Sequence, residues 1–142
     1  MIRRSPSQIL KQGYSEEEIE LIYSLGRNYL DLHFYNQAEK IFNGLVKINP
    51  DFFDAWTALS IVSFLKGNID QAYNHAKQAS RINSNSIEIQ LLFVTILLSQ
   101  RDYSTAGTYL GEIQELIDSG RIHNQDQIRY FKAQMLRFEY KN

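Results

Sequence analysis

The stretch Ile22-Tyr23-Ser24-Leu25-Gly26-Arg27-Asn28-Tyr29, then Ala38-Glu39-Lys40-Ile41-Phe42, then Pro50, decides the fold. Ile22, Leu25 and Tyr29 stand at i, i+3 and i+7, so they share one face of a helix. Gly26 and Ala38 are small where two helices would cross closely. Pro50 has no N–H and a fixed φ, so it punctuates the end of the second helix. The same residue types then recur. Steps of 34 residues lead from Ala38 to Ala72 and Ala106, and Tyr35, Ile69 and Tyr103 each stand three residues earlier. Leu25 maps to Leu59 and Phe93, Ile22 to Trp56 and Gln90, and Leu30 to Phe64 and Leu98. Signature residues held in register at one period indicate a repeated helical hairpin rather than unrelated amphipathic helices.

These residues at these offsets resemble the tetratricopeptide pattern, with Ile22 where the pattern has Trp. The resulting expectation is an all-α, right-handed superhelical solenoid of three helix–turn–helix repeats, with a short N-terminal segment and a C-terminal capping helix. A single domain would cover 1–142: a leading segment 1–14, repeats at 15–50, 51–84 and 85–119, and a capping helix at 124–140.

Along the chain, Ser15-Glu16-Glu17-Glu18 reads as a capping box, and its acids suit the positive end of a helix. The first pair of helices is expected at Glu16 to Leu32 and Asn36 to Ile48. Asn49-Pro50-Asp51 forms the turn, with Asp51 as cap of the next helix. The second pair is expected at Phe52 to Leu65 and Ile69 to Ile82, with Gly67-Asn68 closing the first of them in a left-handed cap. Asn83-Ser84-Asn85-Ser86 is a turn cluster in which Ser84 replaces the pattern's proline, and Ala76 replaces its phenylalanine. The third pair is expected at Ile87 to Ser99 and Tyr103 to Ile117, ended by Ser119-Gly120. A last helix, Asp126 to Tyr140 with Asn124 as cap, carries the stripe Ile128, Phe131, Met135 and Phe138, with Arg129, Lys132 and Arg137 left for water. That stripe would cover the final repeat, whose apolar face is otherwise bare.

Composition narrows the function. The chain has 142 residues, 44% of them hydrophobic, and a formal net charge of −1. Hydrophobic content is sufficient for a packed core, and the balanced, scattered charge gives no footprint for nucleic acid. There is no cysteine, so disulfides, thiolate ligands and a cysteine nucleophile are excluded. Arg3 and Arg4 are not followed by an apolar run of the signal-peptide kind. The most apolar stretch, Ile87 to Leu98, is interrupted by Glu88 and Gln90 and is shorter than the about 20 residues a bilayer requires, so no membrane insertion is expected.

Little in the sequence points to catalysis. His33, His75 and His123 fall in different parts of the repeat array, with no ligand pair at i, i+4, so no metal and no cofactor is expected. No nucleophile elbow, phosphate-binding loop or dinucleotide fingerprint occurs. Function on such arrays comes from an extended binding surface. The positions that face the groove in tetratricopeptide domains are Glu20, Tyr23, Arg27, Leu30 and Asp31 in the first repeat. In the second they are Asp54, Thr57, Ile61, Phe64 and Leu65, and in the third Glu88, Leu91, Thr95, Leu98 and Ser99. The candidate client-binding residues are therefore Tyr23, Arg27, Leu30, Ile61, Phe64, Leu65, Leu91 and Leu98. An apolar, acid-rimmed surface of this kind suits an extended or helical peptide with apolar anchors and basic flanks. The basic groove used by the domains that clamp acidic heat-shock tails is absent, since Arg27 is the one base.

The run Ser15-Glu16-Glu17-Glu18-Ile19-Glu20-Leu21-Ile22-Tyr23-Ser24-Leu25-Gly26, with Tyr35-Asn36-Gln37-Ala38-Glu39-Lys40-Ile41-Phe42 and Leu45-Val46, resembles the first repeat of the small tetratricopeptide chaperones of bacterial type III secretion systems. It departs from the translocator chaperones at Thr57-Ala58-Leu59-Ser60-Ile61, where they carry a glycine-rich run. The resemblance implies a cytoplasmic, non-catalytic protein that holds an export substrate, a translocator or a needle subunit, soluble until delivery. It also implies a homodimer through the leading segment, for which Ile9 and Leu10 are the apolar residues at hand. The alternative is a general tetratricopeptide adaptor unrelated to secretion.

Overall fold

The computed structural model describes residues 13–141, in which seven α-helices follow one another with no strand. They are α1 (Glu16–Asp31), α2 (Tyr35–Ile48), α3 (Phe53–Leu65), α4 (Ile69–Ile82), α5 (Ile87–Ser99), α6 (Tyr103–Asp118) and α7 (Gln125–Glu139). The fold is the all-α tetratricopeptide type, and each boundary lies within one residue of the periodicity's expectation. The expectations placed on Ile9 and Leu10 lie outside the described residues.

Local chemistry sets these ends. At α1 the Glu18 N–H donates to Ser15 Oγ at 3.1 Å and the Ser15 N–H donates to Glu18 Oε1 at 3.0 Å, the reciprocal box that satisfies two orphan donors. The Gln127 N–H donates to Asn124 Oδ1 at 3.0 Å and so opens α7. Asp51, expected to cap α3, does not. Phe52 occupies the N-cap without a side-chain bond, and the Asp51 N–H donates to Asn49 Oδ1 at 3.2 Å. The Asp51 carboxylate lies 3.5 Å from the Arg81 guanidinium instead. The same turn is fastened by the indole of Trp56, whose Nε1–H donates to the Pro50 carbonyl at 2.7 Å, and by Arg81 Nη2, which reaches it at 3.3 Å.

Each repeat's first helix ends on a left-handed residue: His33 (φ 65°), Gly67 (φ 84°) and Arg101 (φ 60°). The N–H of the following residue donates back to the carbonyl five positions earlier, Phe34 to Tyr29 at 2.8 Å, Asn68 to Ser63 at 2.8 Å and Asp102 to Leu97 at 2.9 Å. Three helix ends are thereby satisfied in one way. Gly120 (φ 78°) closes α6 in the same manner.

The chain divides into two compact units, residues 1–83 and 84–142, at the turn cluster that lacks the pattern's proline. In the first unit α1 packs on α2, α2 on α3 and α3 on α4, and α1 also touches α3. Its core holds Ile19, Ala38, Phe42, Leu45, Phe52, Ala55, Leu59 and Val62. The α1–α2 crossing is close because Gly26 has no side chain: a Cβ there would stand 2.7 Å from Phe42 Cε1. One repeat on, the Ser60 hydroxyl donates to the Ala72 carbonyl at 2.7 Å, so the equivalent crossing carries a buried hydrogen bond. In the second unit α5 packs on α6, and α7 lies against both. Phe131 is buried, Ile128, Met135 and Phe138 are half-buried, and Arg129, Lys132 and Arg137 are exposed, so α7 presents the expected stripe. The Tyr130 and Thr95 hydroxyls hydrogen-bond and pin α7 to α5.

Candidate functional site

The first unit brings five of the eight candidate residues onto its A helices with surface to offer. On α1, Tyr23 and Arg27 are half-buried between the exposed carboxylates of Glu20 and Asp31. On α3, Ile61 and Phe64 are half-buried, Leu65 is 49% exposed, and Asp54 stands at the first turn. Tyr23 leans into the core, with its ring centroid 5.7 Å from that of Phe42 and 5.3 Å from that of Phe52. Its orientation is set by packing, and only part of the ring remains accessible. Arg27 forms no ion pair with another described residue. A cation on the same helix as Tyr23, Glu20 and Asp31 can select among peptides by charge while apolar groups supply affinity.

Leu30, Leu91 and Leu98 are placed differently from the expected groove contacts. All three are buried, Leu30 at 7%, Leu91 at 5% and Leu98 at 6% exposure. Leu30 belongs to the first unit's core cluster. Leu91 and Leu98 lie on α5, whose sequence IEIQLLFVTILLS is apolar around nearly its whole circumference, and α7 covers part of it. A helix apolar on every side is buried on every side. Thr95, also a groove position in the pattern, donates its hydroxyl to the Leu91 carbonyl at 3.0 Å and is held by Tyr130.

One apolar surface was not anticipated. Leu21 and Leu25, at 70% and 48% exposure, lie on the outer side of α1 with Leu32 and Phe34 exposed beyond them. The equivalent residues one repeat on, Ala55 and Leu59, are fully buried. The repeat register gives the signal: among the described residues no helix precedes α1 to fill that contact.

The histidines do not form a centre. The His33 ring lies 5.7 Å from that of Tyr35, and His75 lies 5.8 Å from Trp56. Burial pushes the His75 pKa below its ordinary 6.5, partly opposed by the Glu39 carboxylate. Among the described residues no three His, Cys, Asp or Glu side chains converge as metal ligands, and no helix is long and apolar enough to cross a membrane.

No known sequence family matches the chain. Solved structures do. The type III secretion translocator chaperone SycD of Yersinia enterocolitica superposes with a TM-score of 0.79 at 19% identity, over 89% of this chain and 96% of SycD. PcrH in complex with the chaperone-binding region of PopD gives 0.78 at 19% identity, over 92% of this chain and 98% of PcrH. The TPR2B domain of yeast Sti1, solved with an Hsp70 peptide, gives 0.75 at 13% identity, over 87% and 98%. The class is therefore a tetratricopeptide-type helical repeat, a fold these protein-binding chaperones and co-chaperone domains share.

Proposed function

We propose that this chain is a non-catalytic, cytoplasmic client-holding protein, a chaperone for a type III secretion substrate of the translocator or needle-subunit kind. The observation that carries the proposal is the accessible apolar set Tyr23, Ile61, Phe64 and Leu65 on the A-helix side of the first unit, bounded by Glu20, Asp31 and Asp54 and containing Arg27. Support comes from the fold shared with SycD, a translocator chaperone, and with PcrH, solved in complex with the chaperone-binding region of PopD. The mechanism is mass action. Binding hides apolar client surface that would otherwise aggregate, and the complex comes apart when the export apparatus takes the client. No bond is made or broken by this chain. Leu30 is buried in the core of the first unit, and Leu91 and Leu98 are buried in the second unit.

The test is capture from the native host with tagged protein, read by mass spectrometry, with Leu65→Asp and Phe64→Asp as controls. Leu65 is half exposed, so its change leaves the helical circular-dichroism signal intact. A single apolar or helical export substrate, lost in both variants, is the expected result. A set of unrelated stable cytosolic proteins would establish the adaptor reading, which the likeness to the Sti1 domain favours.

A further inference from the structure

We propose that the outer stripe of α1 of one copy of this chain docks in the groove between α6 and α7 of another copy, running parallel to α7. Neither surface includes Tyr23, Ile61, Phe64 or Leu65, so the proposal is independent of the client-binding reading.

The first argument is that the groove is shaped for a helix. Ser60, Val94 and Lys132 each stand eight residues after the N-cap of their helix, Phe52 on α3, Ser86 on α5 and Asn124 on α7. Ser60 hydrogen-bonds to Ala72 of α4, the helix that pairs with α3, and Val94 is fully buried. Lys132 is exposed, so among the described residues no second helix covers that side of α7. A groove of about 400 Å³ opens there between α6 and α7, lined by Ile117, Ile128, Lys132, Met135 and Leu136. Ile117, Ile128 and Met135 are half-buried and Leu136 is exposed, which makes an apolar floor with one cation in it.

The second argument is spacing. Lys132, Leu136 and Tyr140 are exposed at i, i+4 and i+8 along α7 and its C-cap. Glu17, Leu21 and Leu25 are exposed at the same intervals on α1. Four residues advance about 6 Å on either helix. A parallel register therefore sets Glu17 against Lys132, Leu21 against Leu136 and Leu25 against Tyr140, with Ser24 opposite Glu139 at the far end of the groove. Reversed, α1 would bring Leu25 to the cation and Glu17 to the tyrosine.

The third argument is charge, and it selects a second copy placed unlike on unlike. α1 carries Glu16, Glu17, Glu18, Glu20 and Asp31 against Arg27 alone, whereas α7 carries Arg129, Lys132 and Arg137 against Asp126 and Glu139. Arg129 pairs with Asp126 and Arg137 donates to Gln134, but Lys132 forms no ion pair with another described residue. Pairing α1 with α1 across a two-fold axis would set carboxylates against carboxylates, and pairing α7 with α7 would set Lys132 against Lys132. Joining the stripe to the groove matches acid to base and leucine to leucine. One helix in one groove is a small contact, so the association is transient and is best read by trapping it.

The absence of native cysteine makes the trap clean. Full-length Ser24→Cys is mixed with isotopically heavy Glu139→Cys and treated with a short bismaleimide, after circular dichroism has confirmed both folds. Each chain has one thiol, so every link joins two copies, and mass spectrometry sorts mixed from like pairs. The expected result is a mixed link formed several-fold faster than either like link, and several-fold faster than the link from Ser24→Cys to Arg129→Cys at the other end of α7. Adding Lys132→Glu to the Glu139→Cys chain should slow the mixed link several-fold. Adding Glu17→Lys to the Ser24→Cys chain should then restore it. Like links as fast as mixed ones, a faster link to position 129, or charge reversals that neither slow nor restore the mixed link would each overturn the proposal. No client takes part, so failure here leaves the capture experiment to judge the client-binding reading separately.

Discussion

A left-handed residue closes the first helix of every repeat, yet only Gly67 is a glycine; His33 and Arg101 hold the same conformation with a side chain. Such residues carry about 1–3 kcal/mol of strain, of which glycine's larger unfolded-state entropy would return part. His33→Gly and Arg101→Gly should each stabilise the protein by about 1 kcal/mol, read as a higher denaturant midpoint at unchanged slope. A second pair of changes separates packing from propensity. In Gly26→Ala the new methyl meets the fully buried Phe42 ring at 2.7 Å, which should cost about 1–3 kcal/mol despite the better helix former. Gly44→Ala, where nothing lies within 4 Å of the added carbon, should instead gain about 0.5–1 kcal/mol. His75 supplies a pH test. Its folded pKa is depressed by burial, so between that value and 6.5 the unfolded chain binds more protons than the folded one. Stability should fall as pH drops from neutrality through 6.5, and His75→Gln should flatten the loss in urea titrations at pH 7.5 and 5.5.

At the scale of elements, most of the fold was legible because its information is local and periodic. The box at Ser15 and Glu18, the cap at Asn124 and the spacing of Ala38, Ala72 and Ala106 place helix ends and crossings with no knowledge of the partner helix. Asp51 shows where that stops. An acid before a helix is a good cap only if the backbone at its own position opens the helix, and here Asn49 and Arg81 claim its amide and carboxylate. The exposure of the candidate residues was less legible for a related reason. Groove positions follow from register, but exposure depends on what packs opposite, and on the apolar helix α5 Leu91 and Leu98 are buried. The element most exposed to a single change is α7. Phe131→Ala removes its one fully seated aromatic and should cost about 3–5 kcal/mol, undocking α7 from α5 and α6, with rapid amide exchange across residues 125–139 as the sign.

At the scale of the whole molecule, a protein that works by holding a client needs a surface that is apolar enough to bind and guarded enough not to aggregate. Under the proposed function, Tyr23, Ile61, Phe64 and Leu65 would supply the apolar binding and the carboxylates of Glu20, Asp31 and Asp54 the guard, all within one unit. Raising the salt concentration should weaken selection at Arg27, Glu20 and Asp31 while sparing apolar affinity. Client capture at 1 M salt is therefore expected to lose discrimination against acidic competitors before it loses strength, as a competition assay with acidic peptides would record.

The tie between Trp56 and the Pro50 carbonyl has one more consequence, an optical one. Trp56 is the chain's sole tryptophan, it belongs to residues 1–83, and its indole sits against His75. Its emission is therefore a private signal of the first unit, while backbone ellipticity sums both. Melting curves followed at the two wavelengths will coincide if the units unfold as one cooperative body and will separate if they do not, so the protein carries its own gauge of how far the two halves depend on each other.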